Sequence, residues 1–377
     1  MSARTPWLAC MALAGAALLG VVARGAAEQA GTQHWNTLLF DAAPQRNDGR
    51  TPGRIAGKQI APAWAFEAPE EQLSPPLTAA DGTLYLASSA GMRALDASGH
   101  VQWFAKLGSI AGTPAFLPSG ELLVTRGDGR LTVLARDGRV REPSAQLPRV
   151  FRPPLVAGSG ALIAGDLAGI ARAFELSGLQ LEAASEPLSP PLTAAALDAH
   201  TFALTGRDAR VTWLSLATGV VHTFPLPARV MAGPVTSIAP DGQSDVWLVT
   251  DDDRVLRLDA DGRVTLSLHP ARGLRPTLAV GHDGHIRVID IYGMLVCLDR
   301  DGKDVWRRPL DGNAGPLTLD AGDTTLAVLQ RGDLYGIDAQ GRLRFHVDVH
   351  TAEQPRVVVA EDGTLLVASR GLLQAWR

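Results

Sequence analysis

One proline recurs down most of the chain at a nearly fixed interval: Pro76, Pro114, Pro154, Pro191, Pro234, Pro276, Pro316 and Pro355. The spacings are 38, 40, 37, 43, 42, 40 and 39 residues. Periods of 20–50 residues are the signature of solenoids, propellers or arrays. The eight units open on SPPLTA, GTPAFL, RPPLVA, SPPLTA, AGPVTS, LRPTLA, AGPLTL and EQPRVVV. The chain has 39 Gly and 25 Pro, with no short-range period, which excludes collagen and points to many turns.

Each unit then reads as four short strands. In the first, Leu77-Thr78-Ala79 is followed by the turn Asp81-Gly82, and Leu84 to Ala87 by Gly91. Met92 to Leu95 ends in Leu-Asp, Ser98-Gly99 turns the chain, and Val101-Gln102-Trp103-Phe104 follows. Short Gly-containing turns between apolar runs are hairpin signals. The third-strand ending recurs as Leu258-Asp259, Leu298-Asp299 and Ile337-Asp338. The turn after it recurs as Asp137-Gly138, Asp261-Gly262, Asp301-Gly302 and Gln340-Gly341. The fourth strand carries an aromatic at Trp103, Phe224, Trp306 and Phe345. No helical period follows residue 28. The pattern predicts an all-β fold, an eight-bladed β-propeller of four-stranded antiparallel blades.

The eighth unit shows three strands from Pro355 and no fourth. An unattached copy of a fourth strand, Ala63-Trp64-Ala65-Phe66, stands upstream of the first unit. It is expected to complete the eighth blade and close the ring. The expected division is therefore a signal peptide at 1–27, an N-terminal lead-in at 28–62 and a propeller at 63–377. Arg4 supplies the charged start of the signal, and Trp7 to Val22 is its apolar run of 16 residues. Gly25-Ala26-Ala27 offers small residues for cleavage. That run is shorter than a spanning helix needs, about 20 residues. Leu8-Ala9-Cys10 resembles a lipidation box, but a lipidated Cys follows the apolar core, and here Met11 to Val22 comes after it. Cleavage would leave Cys297 as the sole thiol, so no intramolecular disulfide is expected. The implied location is periplasmic or secreted, with no transmembrane segment after cleavage.

Beyond the count, the repeats D-G-T-L-Y-L, G-x-x-x-L-D and x-G-x-V-x-W resemble those of the pyrroloquinoline-quinone-like, or quinoprotein-like, β-propellers. The resemblance covers about residues 60–377, and the stretch from Trp35 to Trp64 is similar to that family's lead-in. It implies the propeller fold. It leaves two functional classes open: quinone-dependent dehydrogenases, and non-enzymatic propellers such as those of outer-membrane assembly. Fold-level likeness does not select between them.

The residues weigh against the enzyme. Dehydrogenases of the family carry adjacent cysteines over the quinone, whereas Cys297 is alone in LVCLD and reads as a core residue. Calcium to hold a quinone needs carboxylate and amide oxygens, and Asn is scarce: Asn36, Asn47 and Asn313. Asp48 and Asp311 lie beside two of these, in Gly-containing turns. Asp259-x-Asp261-Gly262 and Asp299-x-Asp301-Gly302 align with the third-to-fourth strand turn. Asp251-Asp252-Asp253 aligns with the turn between strands two and three. His282 and His285 flank a first-to-second strand turn. His346, Asp348 and His350 alternate along a fourth strand and its exit, a spacing that suits a metal but also a solvated edge. No metal and no cofactor are expected, and neither a nucleophile elbow nor a zinc-protease or phosphate-loop motif is present.

The formal charge of −4 argues against nucleic-acid partners. Arginine at strand entries is the notable departure from the repeat. Arg152, Arg275 and Arg356 adjoin the repeat proline in units three, six and eight, at offsets −2, −1 and +1. Converging at the channel mouth, they would form an anion site for carboxylate or phosphate. The sequence thus points to a monomeric, exported, non-catalytic propeller that binds envelope proteins. The alternatives are a quinone oxidoreductase, or a propeller taking an anionic small molecule or glycan at its mouth.

Overall fold

The computed structural model describes residues 54–55, 59–147, 155–156, 162–165, 169–175, 180–190, 192–198, 200–219, 221–239, 242–350 and 355–377. The expected signal peptide, Cys10, Trp35, Asn36, Asn47, Asp48 and Arg152 lie outside them. All regular elements in the described residues are strands.

The all-β propeller is present, but the expected blade count needs correction. There are seven four-stranded blades, not eight. Each has four consecutive strands in sequential order, the first blade spanning Leu77–Ala105 and the seventh Ala314–Asp348. The eighth repeat unit does not make a four-stranded blade. Its strands Arg356–Val359 and Leu365–Trp376 join the N-terminal strand Pro62–Gln72 in a three-stranded sheet. The physical reason lies in the junction Ser369-Arg370-Gly371. Arg370 is itself paired with Gln72, so ladder pairing runs through the junction and the last two runs form one strand element. Its first half pairs with Arg356–Val359 and its second with the N-terminal strand, with Gly371 at φ 68 between them.

First strands of successive blades lie side by side, as do Ala279–Val280, Ala314–Leu319 and Arg356–Val359, so strand entries surround the axis. Apolar clusters fill the seams between successive sheets. Leu84, Leu86 and Leu95 of blade one meet Val358, Leu366 and Leu373 of the closing sheet. In blade six, Ile286 and Val288 face blade five while Ile289 faces blade seven. Period-two alternation buried on both faces explains why second and third strands read as continuous apolar runs.

The turns account for the repeated Leu-Asp ending. One carboxylate oxygen of Asp299 accepts the Asp301 and Lys303 N–H groups at 2.9 and 2.8 Å. Asp259 does the same for Asp261 and Arg263 at 3.0 and 2.9 Å. These are turn caps built on local Asx bonding.

Aromatics on outer strands dock on the same turns of the next sheet. Trp64, Trp103 and Trp306 donate Nε1–H to the carbonyls of Ala97, Arg136 and Ala339 at 2.9, 2.8 and 2.9 Å. Each acceptor lies two residues before the turn glycine. Gly99 has φ 85, and a Cβ there would sit 2.5 Å from the Trp64 ring, so glycine is required twice over.

Trp64→Ala should lower the melting temperature. The loss should fall below the about 3–5 kcal/mol typical of a core Trp, because Trp64 is half-buried. Trp64→Phe, which keeps the ring but loses the donor, should fall between. Thermal melts that leave all three proteins alike would remove the N-terminal strand from the ring.

Candidate functional site

The strand entries of blades six and seven and of the closing sheet frame a cleft of about 150 Å³. Its walls include Pro276, Pro316 and Pro355, the repeat prolines of three successive units. Proline presents no N–H, so these three walls offer no backbone donor. Arg275 and Arg356 both line the cleft, with Thr277 and Gln330.

Local structure fixes the backbone at these positions. The Arg275 N–H donates to Ile289 O at 2.8 Å, and its carbonyl accepts the Thr277 N–H at 2.7 Å. Arg356 begins a strand and is registered with Ala368. Both arginines are half-buried. Thr277 Oγ1 accepts the Leu317 N–H at 3.1 Å, tying the entry of blade six to blade seven. Two guanidinium groups beside apolar walls favour a carboxylate or phosphate, because water screens them less than on open surface. The structure thus brings two of the three expected arginines together. Sequence reasoning did not mark Thr277 or Gln330; a Thr in a strand entry looks like any strand residue.

The remaining candidates resolve into structural roles. Asp253 caps the entry of blade six, accepting the Gly273 and Leu274 N–H groups, both at 2.8 Å. Asp252 pairs with Arg254 at 2.8 Å. His346 stacks on Tyr335 with centroids 4.2 Å apart and its Nε2 lies 2.7 Å from Asp333. His350 Nδ1 lies 3.0 Å from Asp348. Asp311 accepts the Tyr335 hydroxyl at 3.0 Å. Among the described residues, no group of His, Cys, Asp and Glu has the arrangement of a metal site.

On the opposite face, the turn of His282 and His285 belongs to a seam. Arg287 is fully buried and holds the Asp283 carboxylate with two bonds of 2.7 and 2.6 Å. Asp323, from the matching turn of blade seven, accepts the N–H groups of His282 and Asp283 at 2.8 and 3.1 Å. Cys297 is registered with Arg287 on the adjacent strand and is buried; burial pushes its thiol up to about 12. Sequence reasoning missed Arg287, because a charge inside an apolar run carries no sign of its partner.

The hydrogen bond to Asp323 raises the pKa of His282 above its usual 6.5. A raised folded pKa means stability fully present below the unfolded value and lost as pH rises through the folded one. His282→Gln should therefore cost melting temperature near about pH 6 and close on the wild type by about pH 9. A gap that does not change with pH would remove the charged pair.

Three comparisons bear on this geometry. A family model described as outer membrane protein assembly factor BamB matches residues 233–376. Among solved structures, BamB from Moraxella catarrhalis superposes with a TM-score of 0.66 at 17% identity, covering 85% of this chain and 100% of its own. Sqt1 from Saccharomyces cerevisiae superposes with a TM-score of 0.66 at 11% identity, covering 86% of this chain and 99% of its own. A search of curated proteins finds no match. At these identities the structural likeness speaks for the fold. No helix of the described residues is long and apolar enough to cross a membrane. The chain is a β-propeller similar in fold to BamB, and its residues 233–376 match the BamB family model.

Proposed function

We propose that the chain is an exported, non-catalytic scaffold of the cell envelope that binds partner proteins through the entry face of its propeller. Support comes from the likeness to an outer membrane protein assembly factor over residues 233–376. The observation that carries the site is the cleft with Arg275 and Arg356 on its wall. It is the place where the ring brings two arginines together beside apolar surface. A carboxylate from a partner would pair with them there. Residues 1–27 serve as the export signal, and the working location is the periplasm.

A ligand that binds only the folded state stabilises it by RT ln(1 + [L]/Kd), about 2.7 kcal/mol at a hundredfold excess over Kd. Citrate should raise the melting temperature of the wild type more than that of an Arg275→Gln/Arg356→Gln double variant. Multivalent anions also strengthen burial by exclusion from the surface, so the difference between proteins is the readout. Equal shifts would remove the cleft as an anion site. Adding Arg152→Gln should reduce the shift further only if that residue joins the cleft.

A further inference from the structure

The most exposed large apolar side chains among the described residues are neighbours in one turn. Tyr292 is 78% exposed and Ile291 is 49% exposed. Val101, Phe104, Val140, Val264, Val305 and Leu343 are exposed too, but they lie on fourth strands, the outer edges of blades. Ile291 and Tyr292 instead sit between the second and third strands of blade six, Ile286–Ile289 and Met294–Leu298. That turn is at the same end of the blade as the strand entries.

The turn is rigid. Asp290 is buried, and one of its oxygens accepts the Tyr292 and Met294 N–H groups at 2.9 and 2.8 Å. The Ile291 N–H donates to Gly273 O at 2.8 Å, and Gly293 holds φ 84. The ring of Tyr292 is thus displayed from a fixed backbone, which lowers the entropy lost when a partner covers it.

The turn also adjoins the cleft. The chain from Gly273 to Arg275 runs along that from Ile289 to Ile291, joined by the Ile291-to-Gly273 and Arg275-to-Ile289 hydrogen bonds. The matching turn of blade seven carries exposed Arg331 next to Gln330, which lines the cleft. An exposed aromatic beside arginines is the composition of an interface hot spot.

We propose that the Ile291–Tyr292 turn and the Arg275–Arg356 cleft form one recognition surface for an extended acidic segment of a partner protein. Its carboxylate enters the cleft, and an apolar side chain next to it covers Tyr292. The inference rests on the proposed anion role of the cleft and adds the partner's chemistry. A small anion would leave the apolar turn unused.

The probe is a fluorescein-labelled ten-residue peptide alternating Glu and Leu, with a Gln-for-Glu peptide as control, read by anisotropy on the whole protein. The Glu peptide should bind and the Gln peptide should not. Tyr292→Ala should weaken binding about tenfold or more, as expected of a hot spot, and Tyr292→Phe should restore it. Tyr292→Glu should abolish binding, and unchanged melting temperatures will show that these variants fold. Binding indifferent to Tyr292 but lost in Arg275→Gln/Arg356→Gln would overturn the shared surface and leave the anion cleft standing. The shared surface also falls if the peptide does not bind while citrate still stabilises in an Arg-dependent way. Failure of peptide and citrate together overturns both.

Discussion

A donor from one sheet reaching the turn carbonyl of the next is the contact on which the ring depends. Trp64, Trp103 and Trp306 make it from the outer strand, and Trp213 makes it from a third strand to Ala260 O at 2.8 Å. Arg257 takes the same part at Arg300 O, at 3.0 Å. The acceptor stands two residues before the turn glycine in all five cases. A single sheet of four short strands cannot bury both of its faces. Apolar seams supply the driving force, but they are non-directional. At these five seams the hydrogen bond to one fixed carbonyl sets the angle and height at which a sheet meets its neighbour.

That register is what gives the entry face its chemistry. Arg275 and Arg356 are 81 residues apart in sequence and belong to sheets separated by blade seven. They share a cleft only because blade seven is locked on both sides. On its first side Trp306 docks on the Ala339 turn, and Leu317 N–H reaches back to Thr277. On its second side Ile55 and Ile60 of the lead-in pack with Phe345, Val357 and Trp376. The Ile55 N–H also donates to the buried Asp320 carboxylate at 3.0 Å, and Arg344 donates to Ile55 O at 2.7 Å. The same lock places the buried Arg287 and its partner Asp283 against Asp323 on the far face.

Much of this was legible from spacing. The proline period, the Leu-Asp endings and the turn glycines are local features with a local physical cause, so they repeat in every unit that needs them. The aromatic of the fourth strand was legible for the same reason, since its ring and the glycine opposite must appear together. The blade count was not. The last unit reads like its neighbours up to Ser369-Arg370-Gly371, and the pairing of Arg370 with Gln72 is a contact across about three hundred residues that no periodicity reports. The cleft was half legible. Arginine beside a repeat proline stood out as a break in pattern, and offsets of −1 and +1 would fall on one face if strand alternation held. Arg275 lies ahead of its strand rather than in it, so alternation does not apply there. Tyr292 left no trace, because exposure of one turn residue has no signature in a single sequence.

The central claim is that a rigid ring holds Arg275 and Arg356 at one mouth. Spin labels at Arg275→Cys and Arg356→Cys, with Cys10→Ser and the buried Cys297 left native, allow their separation to be measured by pulsed electron paramagnetic resonance. The account predicts one short, narrow distance distribution that broadens when Trp64→Ala loosens the closing sheet. A broad or multiple distribution in the otherwise intact protein would contradict it.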